Sequence, residues 1–209
     1  MIFYRKLFLI IYFFAFPVSA QAKTLLILGD SLSAAYGIPV ENGWVSLLEQ
    51  RLVRQGYYYK VVNASISGET TLGAKSRLTD LLETNQPDIV IIELGGNDGL
   101  RGFALSEIEQ NLLSIVQQVK RYSAEVLIIP MQLPPNYGEP YNQRFTSIYE
   151  RIAKEMNVNL SQFILNGIAK DQELMQADGI HPVEVAQATM LDNIWPDLQL
   201  MLNKEVVHE

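Results

Sequence analysis

The chain has 209 residues, 16 Lys and Arg against 23 Asp and Glu, a net charge of -7, two histidines and no cysteine. Without cysteine there are no disulfides, no thiolate metal sites and no cysteine nucleophile. The acidic balance argues against a nucleic acid partner, whose phosphates demand a basic face.

The first segment is set apart by its pattern. Arg5 and Lys6 precede an apolar and aromatic run over 7–16, followed by Pro17 and small residues through Ala22. This is the pattern of a secretory signal peptide, with an apolar stretch too short for a membrane span of about 20 residues. Cleavage is expected after Ala20 or Ala22, which places the mature protein in the periplasm or outside the cell, with no stable membrane span once the signal is removed. The remainder, 23–209, has the size of one domain and is expected to be a monomer. Loss of Arg5 and Lys6 without any acid makes its charge more negative by two, which keeps an exported protein soluble.

Leu25, Leu26, Ile27 and Leu28 form an unbroken apolar run, as expected of a strand buried on both faces of a parallel sheet. It stops at Gly29 and Asp30, so Ser31 is held at the carboxyl end of a strand, where open α/β sheets bind ligands. Residues 44–55 place Trp44, Leu47, Leu48, Leu52 and Val53 on one helical face, and Gly56 ends that helix. A β-branched and aromatic stretch over 57–63 predicts the second strand, leading to the junction that ends in Gly68. Thr70 or Thr71 caps a helix running to about Glu83, and Pro87 bounds a third strand over 88–94.

The glycine-rich junction over 95–99 follows, and Ser106 with Glu109 has the spacing of a capping box opening the next helix. Residues 126–129 predict a fourth strand. The proline-rich stretch over 133–138 is expected to be irregular, neither helix nor inner strand. A helix over 141–156 presents Phe145, Ile148, Tyr149 and Ile152, and 158–164 is a weaker strand. The turn over 178–182 precedes a last helix from about Val183 that contains Trp195 and Pro196. Strands alternating with helices give an α/β fold, a parallel sheet with helices on both faces.

In such a sheet the carboxyl ends of the strands lie along one edge, so the junctions at Asp30, Ala64, Gly95 and Asp178 should converge. Together they hold the parts for acyl transfer. Ser31 supplies a hydroxyl, His181 the base that would take its proton, and Asp178, three residues earlier, a carboxylate to orient the ring. His208 lies next to the chain end in a polar tail, so histidine chemistry falls on His181. Developing negative charge on a carbonyl oxygen needs donors already in place, and the N–H of Ser31, the N–H of Gly68 and the amide of Asn97 are the candidates for this oxyanion hole. Each part alone has a simpler reading, as a turn glycine, a turn asparagine or a buried histidine; their joint occurrence does not.

The stretches GDSLS at 29–33, SISGET at 66–71, GGND at 95–98 and DGIHP at 178–182 resemble the four blocks of the SGNH (GDSL-type) hydrolases, in the same order over nearly the whole mature chain. TLLILGDSLSA, LGGNDGLRG and LPPNYG are most similar to the branch of exported bacterial thioesterases, lysophospholipases and arylesterases. The resemblance implies a flavodoxin-like three-layer α/β/α sandwich. It implies a Ser31, Asp178 and His181 triad, an oxyanion hole of Ser31, Gly68 and Asn97, no metal and no cofactor. It also implies a substrate cleft involving Gly99, Leu100, Arg101, Gly102, Phe103, Leu133, Pro134, Tyr137 and Ile180. The segment 99–104 would be a mobile loop answering to the acyl chain, with freedom from its glycines. The implied substrates are small-molecule fatty acyl esters, lysophospholipids and acyl thioesters. Ala35, where relatives usually carry glycine, Leu174, where tryptophan is common, and Met131 with Gln132 are departures near the substrate.

Three other readings remain. An O-acetylesterase for carbohydrates would share the fold and triad. A metal-dependent phosphoesterase would use Asp30, Asp98, Asp178 and His181 as a cation cluster, though such sites usually draw on several histidines. A flavodoxin-like binding module would cradle a phosphate or flavin at 95–102, although the G-x-G-x-x-G spacing is lacking.

Overall fold

A computed structural model describes residues 23–202; the leader over 1–22 and His208 lie outside the described residues. Strands β1 (Lys23–Gly29), β2 (Tyr59–Asn63), β3 (Ile89–Glu93), β4 (Glu125–Ile128) and β5 (Asn159–Leu160) form one parallel sheet in the order β2-β1-β3-β4-β5. The registers Leu26 to Val62 and Leu26 to Val90 place β1 between β2 and β3. The helices are α1 (Trp44–Arg54), α2 (Thr71–Asn85), α3 (Gly96–Leu100), α4 (Leu105–Arg121), α5 (Glu139–Met156) and α6 (Gln187–Met201). Helix α1 packs with α6, while α4 packs with both α2 and α5, so the sheet is the middle layer of an α/β/α sandwich. Among the described residues no helix is long and apolar enough to cross a membrane.

The apolar runs of β1 and β3 are buried throughout, because helices cover both faces. Fully burying one leucine or isoleucine of this kind contributes about 1.5–3 kcal/mol. Tertiary contacts complete what local sequence leaves open. Helix α1 follows Gly43, which offers no side-chain cap, and the Trp44 N–H donates instead to Oε1 of the buried Gln187 from α6 at 3.0 Å. Thr70 does cap α2, accepting from the Gly73 N–H at 3.1 Å.

Several boundaries differ from the sequence reading. Ser106 and Glu109 form no capping box: the cap falls two residues earlier, at Ala104, and α4 begins at Leu105. Glu109 instead accepts two bonds from Arg151 of α5, both at 2.8 Å, so helix-to-helix pairing claims the carboxylate that a box would need. Val53 is exposed and Val45 buried, so the buried face of α1 runs through Trp44, Val45, Leu48 and Leu52. Residues 96–100 form the short helix α3 rather than a loop. Pro135–Tyr137 make a single 3-10 turn, where proline at the start needs no N–H partner. The weak strand over 158–164 shrinks to Asn159–Leu160. The last helix is preceded by a 3-10 turn at Glu184–Ala186.

Ala35 adopts φ +57 and is buried, with its Cβ facing Gly43. A non-glycine residue in this left-handed region costs about 1–2 kcal/mol, offset in part by the extra freedom glycine gives the unfolded chain. Ala35→Gly is therefore expected to raise the melting temperature by about 1–3 °C in calorimetry. An unchanged or lower value would mean that the buried methyl outweighs the backbone strain.

Candidate active site

The strand order reverses between the paired neighbours β1 and β3, since β1 is followed by β2 on one side of it and β3 by β4 on the other. The crevice outside their carboxyl ends is where open α/β folds bind ligands. Ser31 follows β1 there, and Asn97 lies in the first turn of α3, just after β3. The Ser31 turn is tightly held: the Ala34 N–H donates to the Asp30 carbonyl at 3.0 Å, and the Leu32 N–H to Asp30 Oδ1 at 3.1 Å.

His181 arrives from a clasp near the end of the chain. Met175 and Pro182 form an antiparallel bridge, the Gln176 N–H donates to the His181 carbonyl at 2.7 Å, and the Val183 N–H to the Leu174 carbonyl at 2.9 Å. At its tip, Asp178 Oδ1 accepts the N–H of Ile180 at 2.9 Å and of His181 at 3.0 Å. Asp178 Oδ2 lies 2.6 Å from His181 Nδ1, and His181 Nε2 lies 2.8 Å from Ser31 Oγ. The carboxylate fixes the tautomer: Nδ1–H donates to Asp178, leaving Nε2 free to accept the serine proton. Partial burial pushes the Asp178 carboxyl upward, but the His181 and Ile180 hydrogen bonds outweigh it and hold the group at about 2. It therefore stays ionised across the neutral range.

Beneath the turn lie two buried acids. Glu93, the last residue of β3, has no exposure, and Asp30 has almost none. Glu93 Oε2 accepts the Asp30 N–H at 3.2 Å and the Ser33 hydroxyl at 2.8 Å. Gly29 makes room for this: a Cβ there would lie 2.7 Å from Ser33 Oγ and 2.9 Å from Glu93 Oε2. Burial raises the Asp30 carboxyl to about 6, against the pull of its hydrogen bonds from Leu32, Glu93 and Asn97 and of the His181 charge. Burial, and then the charge of Asp30, push Glu93 well above the usual carboxylate range.

Asp30 Oδ2 also accepts from Asn97 Nδ2 at 3.0 Å, which orients the amide. One amide hydrogen remains for a ligand in the cavity that Asn97 lines together with Ser31 and His181. That cavity, about 290 Å³, is walled mostly by apolar side chains. Of the residues singled out from sequence, Ser31, Asn97, Leu100, Leu133, Pro134, Ile180 and His181 line it, with Asp178 behind His181. Gly68 does not. It has φ +79, and its carbonyl accepts from Arg101 Nη2 at 3.0 Å, beside a loop tied to β1 by the Ile66 N–H to Gly29 carbonyl bond of 3.1 Å.

Arg101, Gly102, Phe103 and Tyr137 also lie off the wall, although the Tyr137 hydroxyl donates to the Leu100 carbonyl at 2.8 Å and joins the proline turn to the end of α3. Gly99 is buried and backs the wall. A Cβ there would come within 2.7 Å of Leu133, so this glycine serves close packing rather than loop freedom. Asp98 is turned away and buried, accepting the N–H of Thr71 at 3.0 Å and its hydroxyl at 2.5 Å. It is thus not part of a cation cluster with Asp30, Asp178 and His181.

Sequence reasoning missed one whole wall, Phe163, Leu165, Ala169, Lys170 and Met175, together with Tyr36, whose ring lies 4.4 Å from that of His181. Only Met131 and Gln132, noted as departures next to the proline stretch, pointed toward it.

Residues 27–188 match the model of the GDSL-like lipase/acylhydrolase family. Esterase TesA of Pseudomonas aeruginosa is 49% identical over 183 residues, covering 88% of this chain and 91% of that protein. Thioesterase 1/protease 1/lysophospholipase L1 of Escherichia coli K12 is 44% identical over 187 residues, covering 90% and 88%. Among solved structures, the psychrotrophic esterase EstA from Pseudoalteromonas sp., inhibited by monoethylphosphonate, superposes with a TM-score of 0.82 at 41% identity, over 86% of this chain and 98% of that one.

Proposed function

Since the chain belongs to the GDSL-like lipase/acylhydrolase family and is an ester hydrolase of that family, we propose that it is an exported serine esterase and thioesterase working through an acyl-enzyme on Ser31. The observation that carries this reading is the unbroken relay from Asp178 to His181 to Ser31 at an apolar cavity. In the first half-reaction Ser31 Oγ attacks the substrate carbonyl while its proton passes to His181 Nε2, and Asp178 stabilises the imidazolium. The carbonyl oxygen, now negative, is met by the Ser31 N–H and by the free hydrogen of the Asn97 amide, with the Gly68 N–H as the third donor of the proposed oxyanion hole. The imidazolium then protonates the departing alcohol or thiol. Water, deprotonated by the same ring, releases the acid and restores Ser31.

The apolar wall suits a fatty acyl chain, and Lys170 on the same wall gives a cation that a lysophospholipid phosphate can meet. Supporting the covalent step by analogy is the phosphonate inhibition of the Pseudoalteromonas esterase. No metal or cofactor is needed for these steps. The protein acts as a monomer after the signal peptide is removed, with cleavage following Ala20 or Ala22.

The test is a panel of acyl esters and acyl thioesters of graded chain length, with a lysophospholipid and an acetylated sugar beside them. Medium and long acyl chains should dominate. Preference for the acetylated sugar, with no gain from chain length, would replace this reading with a carbohydrate O-acetylesterase.

A further inference from the structure

The relay leaves one buried acid unused. Glu93 has no solvent exposure, lies at the end of β3 and reaches under the Ser31 turn from the neighbouring strand. Its Oε2 accepts from the Asp30 N–H and the Ser33 hydroxyl, the residues on either side of Ser31 and Leu32. Its Oε1 is buried with no hydrogen-bond partner. The titratable groups around this spot are Asp30 from the end of β1, Tyr149 from α5, Asp98 from α3, and His181, whose charge reaches Asp30. Tyr149 donates its hydroxyl to the Leu94 carbonyl, and Asp98 is engaged by Thr71. Neither neutralises Glu93, and no lysine or arginine is among the groups acting on it.

An ionised Glu93 would strand a charge on Oε1 and set it against the carboxylate of Asp30. Two adjacent buried carboxyls without a cation cannot both ionise cheaply. A neutral acid avoids both costs, shares its proton with the neighbouring Asp30 carboxylate, and still offers Oε2 to its two donors.

Resting on Ser31 as the nucleophile, we propose that Glu93 is a positioning residue that holds the nucleophile turn as a neutral carboxylic acid, keeping a proton so that Asp30 can orient Asn97. Asp30 is the hinge of the arrangement. Its N–H is anchored on Glu93, its Oδ1 closes the turn through Leu32, and its Oδ2 fixes the amide of Asn97. Ionising Glu93 would push on Asp30 and disturb the serine and the amide donor together.

The pH dependence of stability has a definite sign. Both carboxyls are raised above their unfolded values, near 4 for such groups. The stability they contribute is complete below that value and is lost as pH climbs through about 6 for Asp30 and higher for Glu93. The melting temperature of the wild type should therefore fall from pH 5 to pH 8, and that of Glu93→Gln should fall less, because one of the two carboxyls is gone.

The experiment compares wild type, Glu93→Ala and Glu93→Gln by kinetics, melting and infrared spectroscopy. Glu93→Ala should lower kcat about 10- to 100-fold with KM nearly unchanged, and Glu93→Gln, neutral and of the same shape, should restore most of it. In the infrared, the carbonyl stretch of a protonated buried carboxyl should persist in the wild type at pH 8 and be absent from Glu93→Gln. Equal activity of Glu93→Ala and wild type, a glutamine variant as poor as the alanine one, or no protonated-carboxyl band would each overturn the proposal. If the alanine variant does not fold, the infrared band and the melting slopes of the other two decide. Those readouts use no substrate, so they separate failure of the Glu93 assignment from failure of the serine mechanism.

Discussion

Ser31→Ala should lower kcat/KM for a p-nitrophenyl acyl ester by a factor on the order of 10⁴ or more, with melting temperature and circular dichroism close to wild type. Ser31 is small, its Oγ points to His181 Nε2 at 2.8 Å, and the sheet beneath it is packed by other residues, so the hydroxyl can be removed without a cavity of consequence. His181→Ala should cost about as much. The double variant should be hardly worse than either alone, because the two side chains act as one unit and the residue of activity comes from binding and the oxyanion donors. Wild-type turnover in Ser31→Ala would end the acyl-enzyme mechanism outright.

Asn97→Ala should reduce kcat by roughly 10² to 10³, the usual effect of deleting one preorganised oxyanion donor, while KM changes little. The split follows from where the amide points. One hydrogen is spent on Asp30, and the other is left on a side chain that lines the cavity, where a donor to the proposed oxyanion gains most when the carbonyl oxygen becomes negative. If KM rose and kcat held, Asn97 would be binding the ground state, and the oxyanion would have to rest on Ser31 and Gly68 alone.

The parts of the molecule written in local chemistry were legible in the sequence. The runs at Leu25 and Ile89 read as inner strands because they are wholly apolar, too short for a helix, and bounded by Gly29 and Pro87. Asp178 and His181 meet because three residues on a tight turn bring them together whatever the rest of the fold does. Other features depend on distant partners. Glu93 reads as the polar end of a strand until Asp30 and Ser33 are seen above it, 63 and 60 residues away in the chain. The wall formed by Phe163, Leu165 and Met175 has no period because it is irregular chain, positioned by what it covers. The capping box failed for a related reason: Arg151, 42 residues on, competes for Glu109.

The clasp closed by Met175 and Pro182 carries both the imidazole and its carboxylate, whereas the serine belongs to the sheet. Imidazole and carboxylate therefore travel as a single cassette, and the proposed relay crosses to the sheet in one step, from His181 to Ser31, braced beside it by the bond from Gln176 to the Tyr36 carbonyl.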